Sequence, residues 1–569
     1  MSLEKKCQEL KDLVSTYDTQ WFLGDLTALT QSIASRRAQD QLGMLSSPLR
    51  QLYFLGGLLV SSDDSKGEDV QYTPEKWNGI VRLLNEIEKE YEHLFFPKEE
   101  EKVDEEWLKI RKVAMPSFLS YFNQGPLNYE EQIINWITDL YLPFDTVIEE
   151  KIGVTTSTLI TFYNTLDTYI QNNFRAIGPK GIAMRPDWEK YTNLKSAPSP
   201  DIPAFFLADF EAQRPMMTYM MDKGMIDRFF PEDIVNENLS LEQINTILGL
   251  LSCSRAQSDF LYYTATKPGN PLYKTPIIRL SDGLHQVFEV KQVIHAIEAL
   301  LQDICSSTSK SKDKLIANKG QLLETRVVDL FTKFFKDEIE IYTSYYVDGC
   351  EQDVLILWKE YAFIIEAKGY NLREPLRDPS KAFPRIKDDF NDCIGYGYTQ
   401  AKRVQDKFAS QALLRIEDKK GNLIKEINTS QYEDNDFAII VNLNSFGQVQ
   451  NDLSTLLDVG EDVYPWAVKL DDLEVFILTL IAKKKKPHYL IDYLSSREEL
   501  HGKLVCSDEL EICGGYLKGM LTPKMVEKAP VIKTHPNMVE VFDLLYHKGM
   551  GFKNEKLLAE KESGSYRFW

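Results

Sequence analysis

The sequence predicts an α+β multi-domain protein with a large helical N-terminal region, an α/β core and a helical C-terminal extension. Three patterns carry this expectation. Apolar residues recur at helical spacing through about the first 250 residues, short β-rich runs cluster between about 338 and 442, and helical periodicity returns after about 484. The chain has 569 residues, enough for two or three domains at roughly 150 residues each. Its 43% apolar and 27% charged residues are an ordinary globular composition, which excludes collagen-like, mucin-like and wholly disordered classes. A chain this long can bury a large core without disulfides or metal staples.

The elements follow in chain order. Thr73-Pro74 reads as a helix start, because threonine caps well and proline is tolerated in the first turn. Trp77, Ile80, Val81, Leu84, Ile87 and Tyr91 then form one stripe facing a core. Lys98–Glu106 is a charge run, read as a solvated face or loop. Ser240 with Gln243 makes a capping box ahead of Ile244, Ile247, Leu248 and Leu251. These features place a helical domain over 1–265. Residues 266–305 read as a β-hairpin plus helix, with Asp282-Gly283 at the tight turn. The polar run 306–314 reads as a linker to a core domain over 315–482. Leu473–Ala482, followed by Lys483–Lys486, reads as a core strand or helix with a basic turn, since it is about half the length that spans a bilayer. Residues 483–569 form the C-terminal extension, with a helix start at Ser507-Asp508-Glu509.

The 66 Lys and Arg against 86 Asp and Glu leave a net charge of −20, so any contact with a polyanion is local. From Lys310 to Lys425 there are 21 basic and 19 acidic residues, which leaves −22 for the remainder. Seven scattered cysteines without CxxC spacing read as reduced thiols and imply a cytoplasmic protein. The seven histidines form no HExxH or HxH cluster, so no zinc site is expected. The N-terminus lacks a signal-peptide core, and no membrane partner is expected.

One run carries chemistry. Cys350–Trp358 and Tyr361–Lys368 are β-rich apolar segments separated by Lys359-Glu360. If those two residues form a hairpin loop, Trp358 faces Tyr361 and Asp353 lies opposite Glu366, with Cα atoms about 4.5 Å apart in a non-hydrogen-bonded pair. Two like charges facing each other across a ladder are destabilising. A divalent cation removes the conflict, because hard oxygen ligands suit Mg²⁺. Lys368 lies two residues beyond Glu366 and so points to the same face, where an ammonium can hold a water or steady charge on a phosphoryl group.

Asp353 followed by Glu366-Ala367-Lys368 resembles the D…ExK core of the PD-(D/E)XK, restriction-endonuclease-like, nuclease superfamily. The resemblance covers about residues 315–445. Upstream, Lys319–Phe331 reads as the amphipathic helix that precedes the first core strand, and Glu324 fits the place of its metal-site glutamate. Glu338–Val347 supplies the first strand and Phe437–Asn442 a later one. Gln400, on the helix after the catalytic hairpin, resembles the glutamine that the exonuclease branch sets beside its site. The tyrosine often found four residues later is Val404 here, while Tyr396 lies four residues before.

The resemblance implies Mg²⁺- or Mn²⁺-dependent hydrolysis of phosphodiester bonds, with DNA as the favoured nucleic-acid substrate and bacterial defence or DNA repair as the setting. Asp353, Glu366, the carbonyl of Ala367 and Glu324 would hold metal. Lys368 would position the water, and Gln400 would orient Lys368 or substrate. Arg373, Arg377, Lys381, Arg385 and Lys387 follow the ExK strand in a proline-containing loop and could touch phosphates; interleaved acids also fit a plain solvated loop. Tyr342, Tyr345 and Tyr346 read as strand core. The helical regions are places for a protein partner or a second copy. The rival expectation is a catalytically inactive module of the same fold that binds nucleic acid or protein.

Overall fold

In a computed structural model of the chain, the residues described are 2–33, 42–67, 69, 73–97, 103–120, 128–177, 222–263, 268–336, 338–370, 372–432 and 434–546. The last 23 positions of the expected C-terminal extension and most of the Lys98–Glu106 charge run lie outside them. The protein is mixed α and β with helices at both ends. Two compact units emerge. Among the described residues, one draws on 2–92 and 133–308, the other on 93–132 and 309–546.

The first unit is mostly helical. In α1 (Pro74–Phe95) the stripe Trp77, Ile80, Val81, Leu84, Ile87 and Tyr91 is buried, as its spacing implies. At α2 (Leu241–Leu251) the capping box forms in both directions: Ser240 Oγ accepts from Gln243 N at 3.3 Å, and Gln243 Oε1 accepts from Ser240 N at 3.0 Å. The unit also holds a small sheet of β1 (Arg228–Phe229), β2 (Ser252–Cys253), β3 (Ile277–Arg279) and β4 (His285–Val287) in the order β1-β4-β3-β2. Such two- and three-residue strands are too short to leave an alternation signal. The expected hairpin is β3–β4, but its connection is a 3₁₀ turn over Ser281–Gly283 rather than a two-residue turn. Helix α3 (Val290–Cys305) follows.

The longer segment of the second unit begins on α4 (Ser309–Phe335), which corrects the expected linker at 306–314. Only residues 306–308 separate α3 from α4. The Ser-Lys-Asp run lacks apolar residues but contains no helix breaker, so it continues the amphipathic segment one and a half turns outward into water.

A seven-stranded sheet follows, in the order β11-β10-β7-β6-β5-β8-β9. Its strands are β5 (Glu340–Val347), β6 (Cys350–Trp358), β7 (Tyr361–Lys368), β8 (Leu413–Glu417), β9 (Leu423–Asn428), β10 (Asp436–Asn442) and β11 (Trp466–Lys469). Strands β5, β6 and β7 form an antiparallel meander; β10 runs parallel to β7, and β11 parallel to β10. A parallel return needs a crossover, supplied here by α5 (Pro379–Phe390), a π-helical turn at Asn391–Gly395 and α6 (Tyr396–Ser410). Lys381, Arg385 and Lys387, expected in a loop, therefore lie on α5. Asp378 caps this helix and Pro379 occupies its first turn, so the proline that suggested a loop starts a helix instead.

Alternation along the strands gives the sheet two apolar faces. Phe331 and Phe335 of α4 pack on Phe363 and Trp358, with ring centroids 5.2–5.8 Å apart. On the other face Ala401, Val404 and Phe408 of α6 pack with Leu355, Leu357, Ala362 and Ile364. Beyond β11 come α7 (Leu470–Ala482), α8 (His488–Glu498) and α9 (Glu509–Leu517), so Leu473–Ala482 is helical. Leu504–Val505 and Ile532–Lys533 add a two-stranded parallel sheet to the expected helices. Among the described residues no helix is long and apolar enough to cross a membrane.

A buried carboxylate ties this end of the unit together. Glu509 Oε1 accepts from Trp466 Nε1 and Tyr493 Oη, each at 2.7 Å, and from Arg497 Nε at 3.0 Å, while Arg497 Nη2 reaches Oε2 at 3.0 Å. Both ion-pair side chains are 1% exposed, so removing Glu509 strands the Arg497 charge and takes the acceptor from Trp466 and Tyr493. Glu509→Ala should lower the stability of this unit by about 3–5 kcal/mol, read by urea unfolding with hydrogen exchange across α8 and α9. A change within about 0.5 kcal/mol would contradict this account.

Candidate active site

Two hairpin turns set the register that builds the site. Asp348 and Gly349 both take positive φ, 50° and 71°, and join β5 to β6 with Val347 opposite Cys350. Asp-Gly suits such a type I′ turn, whose twist matches the strands it joins. Lys359, at φ 54°, opens the turn between β6 and β7, and Trp358 pairs with Tyr361. The β6–β7 ladder runs from there to Val354 opposite Ile365. One further step puts Asp353 opposite Glu366. On the other side of β6, Thr343–Val354 and Tyr345–Gln352 bracket Ser344 opposite Asp353.

Asp353, Glu366 and Lys368 converge. Lys368 Nζ donates to Asp353 Oδ2 at 3.0 Å and to Glu366 Oε2 at 2.7 Å. Asp353 Oδ2 also accepts from the Ala367 backbone N–H at 2.7 Å. The side chain of Glu366 is 0% exposed, that of Lys368 12% and that of Asp353 18%, so the cluster opens towards solvent on the Asp353 side. Burial pushes the Glu366 carboxyl up to about 8; Lys368 opposes the rise and Asp353 adds to it. Burial also works against the Lys368 charge, but Glu366 and Asp353 outweigh it and hold the ammonium above the ordinary lysine range.

Glu324 comes from α4, on the turn preceding the buried Val327 and Phe331. Its carboxyl is lifted to about 7 by burial, then by Asp353 and Glu351, while Lys368 and a hydrogen bond with Ser344 pull the other way. It therefore borders the Asp353–Lys368 cluster. Gln400 lies on α6, where its Nε2 donates to the Glu351 carbonyl at 3.4 Å. Tyr396, 56% exposed, places its ring 5.8 Å from Lys368 Nζ. Of the basic residues after β7, Arg373 is bound to Asp389, a carboxylate 1% exposed that also accepts from Tyr370 Oη at 3.0 Å. Tyr345 is core, as expected, whereas Tyr342 and Tyr346 direct their hydroxyls to Glu340 and Glu351.

Two positions were not singled out from the sequence. A Cβ on Gly397 would stand 3.0 Å from Ile440 Cγ2 and 3.2 Å from Lys368 Cε, so the bare glycine leaves the lysine its channel. A glycine inside a helix, at about 1 kcal/mol relative to alanine, is a readable sign of close approach. Ser344 is the other: a serine at φ 47° in mid-strand leaves no mark in the sequence.

Among the described residues no group of three or more His, Cys, Asp and Glu side chains gathers closely enough to hold a metal ion. Two carboxylates of separate strands meet, and Glu366 Oε1 is buried without a hydrogen-bond partner. No family model, curated protein or solved structure matches the chain.

Because the folded state holds the Glu324 proton more tightly than the unfolded chain, its contribution to stability is complete below about pH 4.3 and is lost as pH rises through about 7. Glu324→Gln should therefore gain on the wild type across that window and level off above it. Thermal unfolding from pH 4 to 8 in EDTA measures this, and a pH-independent difference would contradict it.

Proposed function

We propose that the protein is a metal-dependent nuclease of the PD-(D/E)XK type that hydrolyses phosphodiester bonds, with DNA as the favoured substrate and bacterial defence or repair as the setting. The observation that carries this reading is one lysine bonded to two carboxylates of neighbouring strands, with Glu366 Oε1 left over in the interior. The element order is compatible with it: a helix, three antiparallel strands and a following helix pair match the order that the resemblance implies, and after the β8–β9 hairpin comes β10, parallel to β7.

In this reading Asp353, Glu366 and the Ala367 carbonyl would hold Mg²⁺ or Mn²⁺, with Glu324 assisting the metal or its waters. Bound there, the ion would polarise the scissile phosphate and lower the pKa of its water. The chain's own residues do the rest. Burial of Glu366 and Lys368 keeps competing water away and strengthens each charge–charge interaction. Lys368, held above its ordinary range, stays an ammonium at neutral pH. As a cation it donates hydrogen bonds, so its part is to aim the attacking water and to steady the negative charge growing on the phosphoryl oxygens.

A catalytically inactive module of the same fold is the second reading. The Lys368 contacts favour it, since they settle both carboxylates without a cation. Metal-dependent cleavage separates the two. The full chain should nick plasmid or cut a labelled nucleic acid in Mg²⁺ or Mn²⁺ and stop in EDTA. Lys368→Ala and Glu366→Gln should each lower the rate by about 10²-fold or more while unfolding at a similar temperature. Equal cleavage by Lys368→Ala would rule out the mechanism as written, and no cleavage by the wild type on single- and double-stranded DNA and RNA would leave the inactive module.

A further inference from the structure

The end of the sheet away from Asp353 and Glu366 carries the opposite charge. Lys359 opens the β6–β7 turn, and Lys483, Lys484, Lys485 and Lys486 fill the turn between α7 and α8. The two turns meet on one indole. Lys359 Nζ lies 4.5 Å from the centroid of the Trp358 ring, and the ring of His488, the first residue of α8, lies 5.0 Å from it and 5.9 Å from the Tyr361 ring. Lys485 Nζ sits 4.2 Å from the Tyr489 centroid. Lys485 is half-buried and the other four lysines are exposed, so five ammonium groups collect on these two turns of a chain whose net charge is −20.

No counter-ion answers them. Among the described residues none of the five forms an ion pair, whereas Lys402, Lys407 and Lys469 of the same unit pair with Asp462, Asp348 and Asp471. The acids next to the two turns, Glu360 and Asp492, border the Tyr361 phenol instead.

Local structure does not ask for these cations either. Helix α7 ends in a Schellman turn: Lys484 N donates to the Ile481 carbonyl at 2.9 Å and Lys485 N to the Leu480 carbonyl at 2.8 Å. Backbone groups, not lysine side chains, thus satisfy the end of the helix. Lys484 takes φ 53° where glycine is the usual residue, and Lys359 takes φ 54° where asparagine or glycine is favoured. The helix dipole favours a cation within the last turn, which accounts for Lys483 but not for Lys359 on another element.

We propose that these two turns form a surface that binds the phosphate backbone of a nucleic acid without reading its sequence. Lysines act as point charges that follow phosphates and carry no base information. Trp358 is 1% exposed and offers no face on which a base could stack. An anionic membrane fits less well. Within 480–490 the one large apolar side chain that is exposed is Ile481, and a polybasic patch needs a second signal for stable anchoring. Lys359 lies six residues beyond Asp353 along β6 and its turn, about 20 Å at strand spacing. About six base pairs of duplex cover that length, so one nucleic acid can touch both ends of the strand. The inference goes beyond cleavage and does not rest on it, since an inactive module would use the same surface.

The test is binding by the full chain in EDTA, which takes metal-dependent cleavage out of the readout. Fluorescence anisotropy of a labelled mixed-sequence duplex is followed over a series of KCl concentrations. Replacing Lys483, Lys484, Lys485 and Lys486 together by Gln should weaken binding about tenfold or more and make the slope of log K against log salt shallower by about three to four units. Lys359→Gln alone should make it shallower by about one. Lys484→Gly should also lose about one in slope while unfolding at a higher temperature, because it removes the charge and relieves the left-handed backbone together. Lys419→Gln combined with Lys420→Gln, which takes two charges from the β8–β9 turn, should bind as the wild type does. A wild type that binds no duplex, a fourfold variant that keeps the wild-type slope, or an equal loss per charge at Lys419 and Lys420 overturns the inference. Attachment through these lysines to phosphatidylserine vesicles, with duplex binding unchanged in the fourfold variant, overturns nucleic acid as the ligand. Lysine-dependent binding that persists where no Mg²⁺-dependent cleavage is found supports the inference and removes only the nuclease reading.

Discussion

Two carboxylates brought together on neighbouring strands, one of them fully buried, govern the electrostatics of the second unit's sheet. Asp353 and Glu366 face each other where β6 meets β7, and Glu366 has no access to water. Left alone, that arrangement would expel a charge or take up a proton. Lys368 resolves it in the isolated chain by bonding both acids. The balance is incomplete, because one buried oxygen of Glu366 has no partner and Glu324 adds a further acid at the border. Burial holds Glu366 and Glu324 toward their neutral forms, and a hard cation would favour their ionised forms, which connects the electrostatics to the proposed chemistry.

The scaffold explains how such a cluster is tolerated. Aromatic packing of α4 on one face and aliphatic packing of α6 on the other give the strands little freedom to slide. A slip of one residue would turn Asp353 to the opposite face, against phenylalanines, so the apolar pattern and the polar site enforce the same register. The crossover adds a second constraint. A π turn just ahead of α6 sets the phase at which Gly397 and Gln400 meet the sheet, and π turns often mark such sites. Glycine at 397 is then the residue that lets helix and lysine share one space.

Several features were legible because they depend on neighbours in the chain. The β6–β7 register follows from two apolar runs and a two-residue gap, and the Ser240–Gln243 box needs only local spacing. Other features were not. The polar stretch 306–314 was expected as a linker, yet most of it is the first turns of α4, since a helix anchored by Leu315, Leu323 and Val327 can extend through polar residues at little cost. Strands β1 and β2 are two residues each and depend wholly on their partners. Arg373 looked like one of several loop cations, and only folding reveals that a buried Asp389 holds it.

By itself the sequence determined the α+β class, the hairpin that opposes Asp353 to Glu366, and the side of the strand to which Lys368 points. These follow from side-chain periodicity and turn length, which are properties of nearby residues. The tertiary structure alone decided how deeply Glu366 is buried, that Glu324 and Gln400 come within reach of the hairpin, and that Ser344 turns Tyr345 inward. Each of these depends on the approach of segments tens of residues apart, which packing sets and no local pattern encodes.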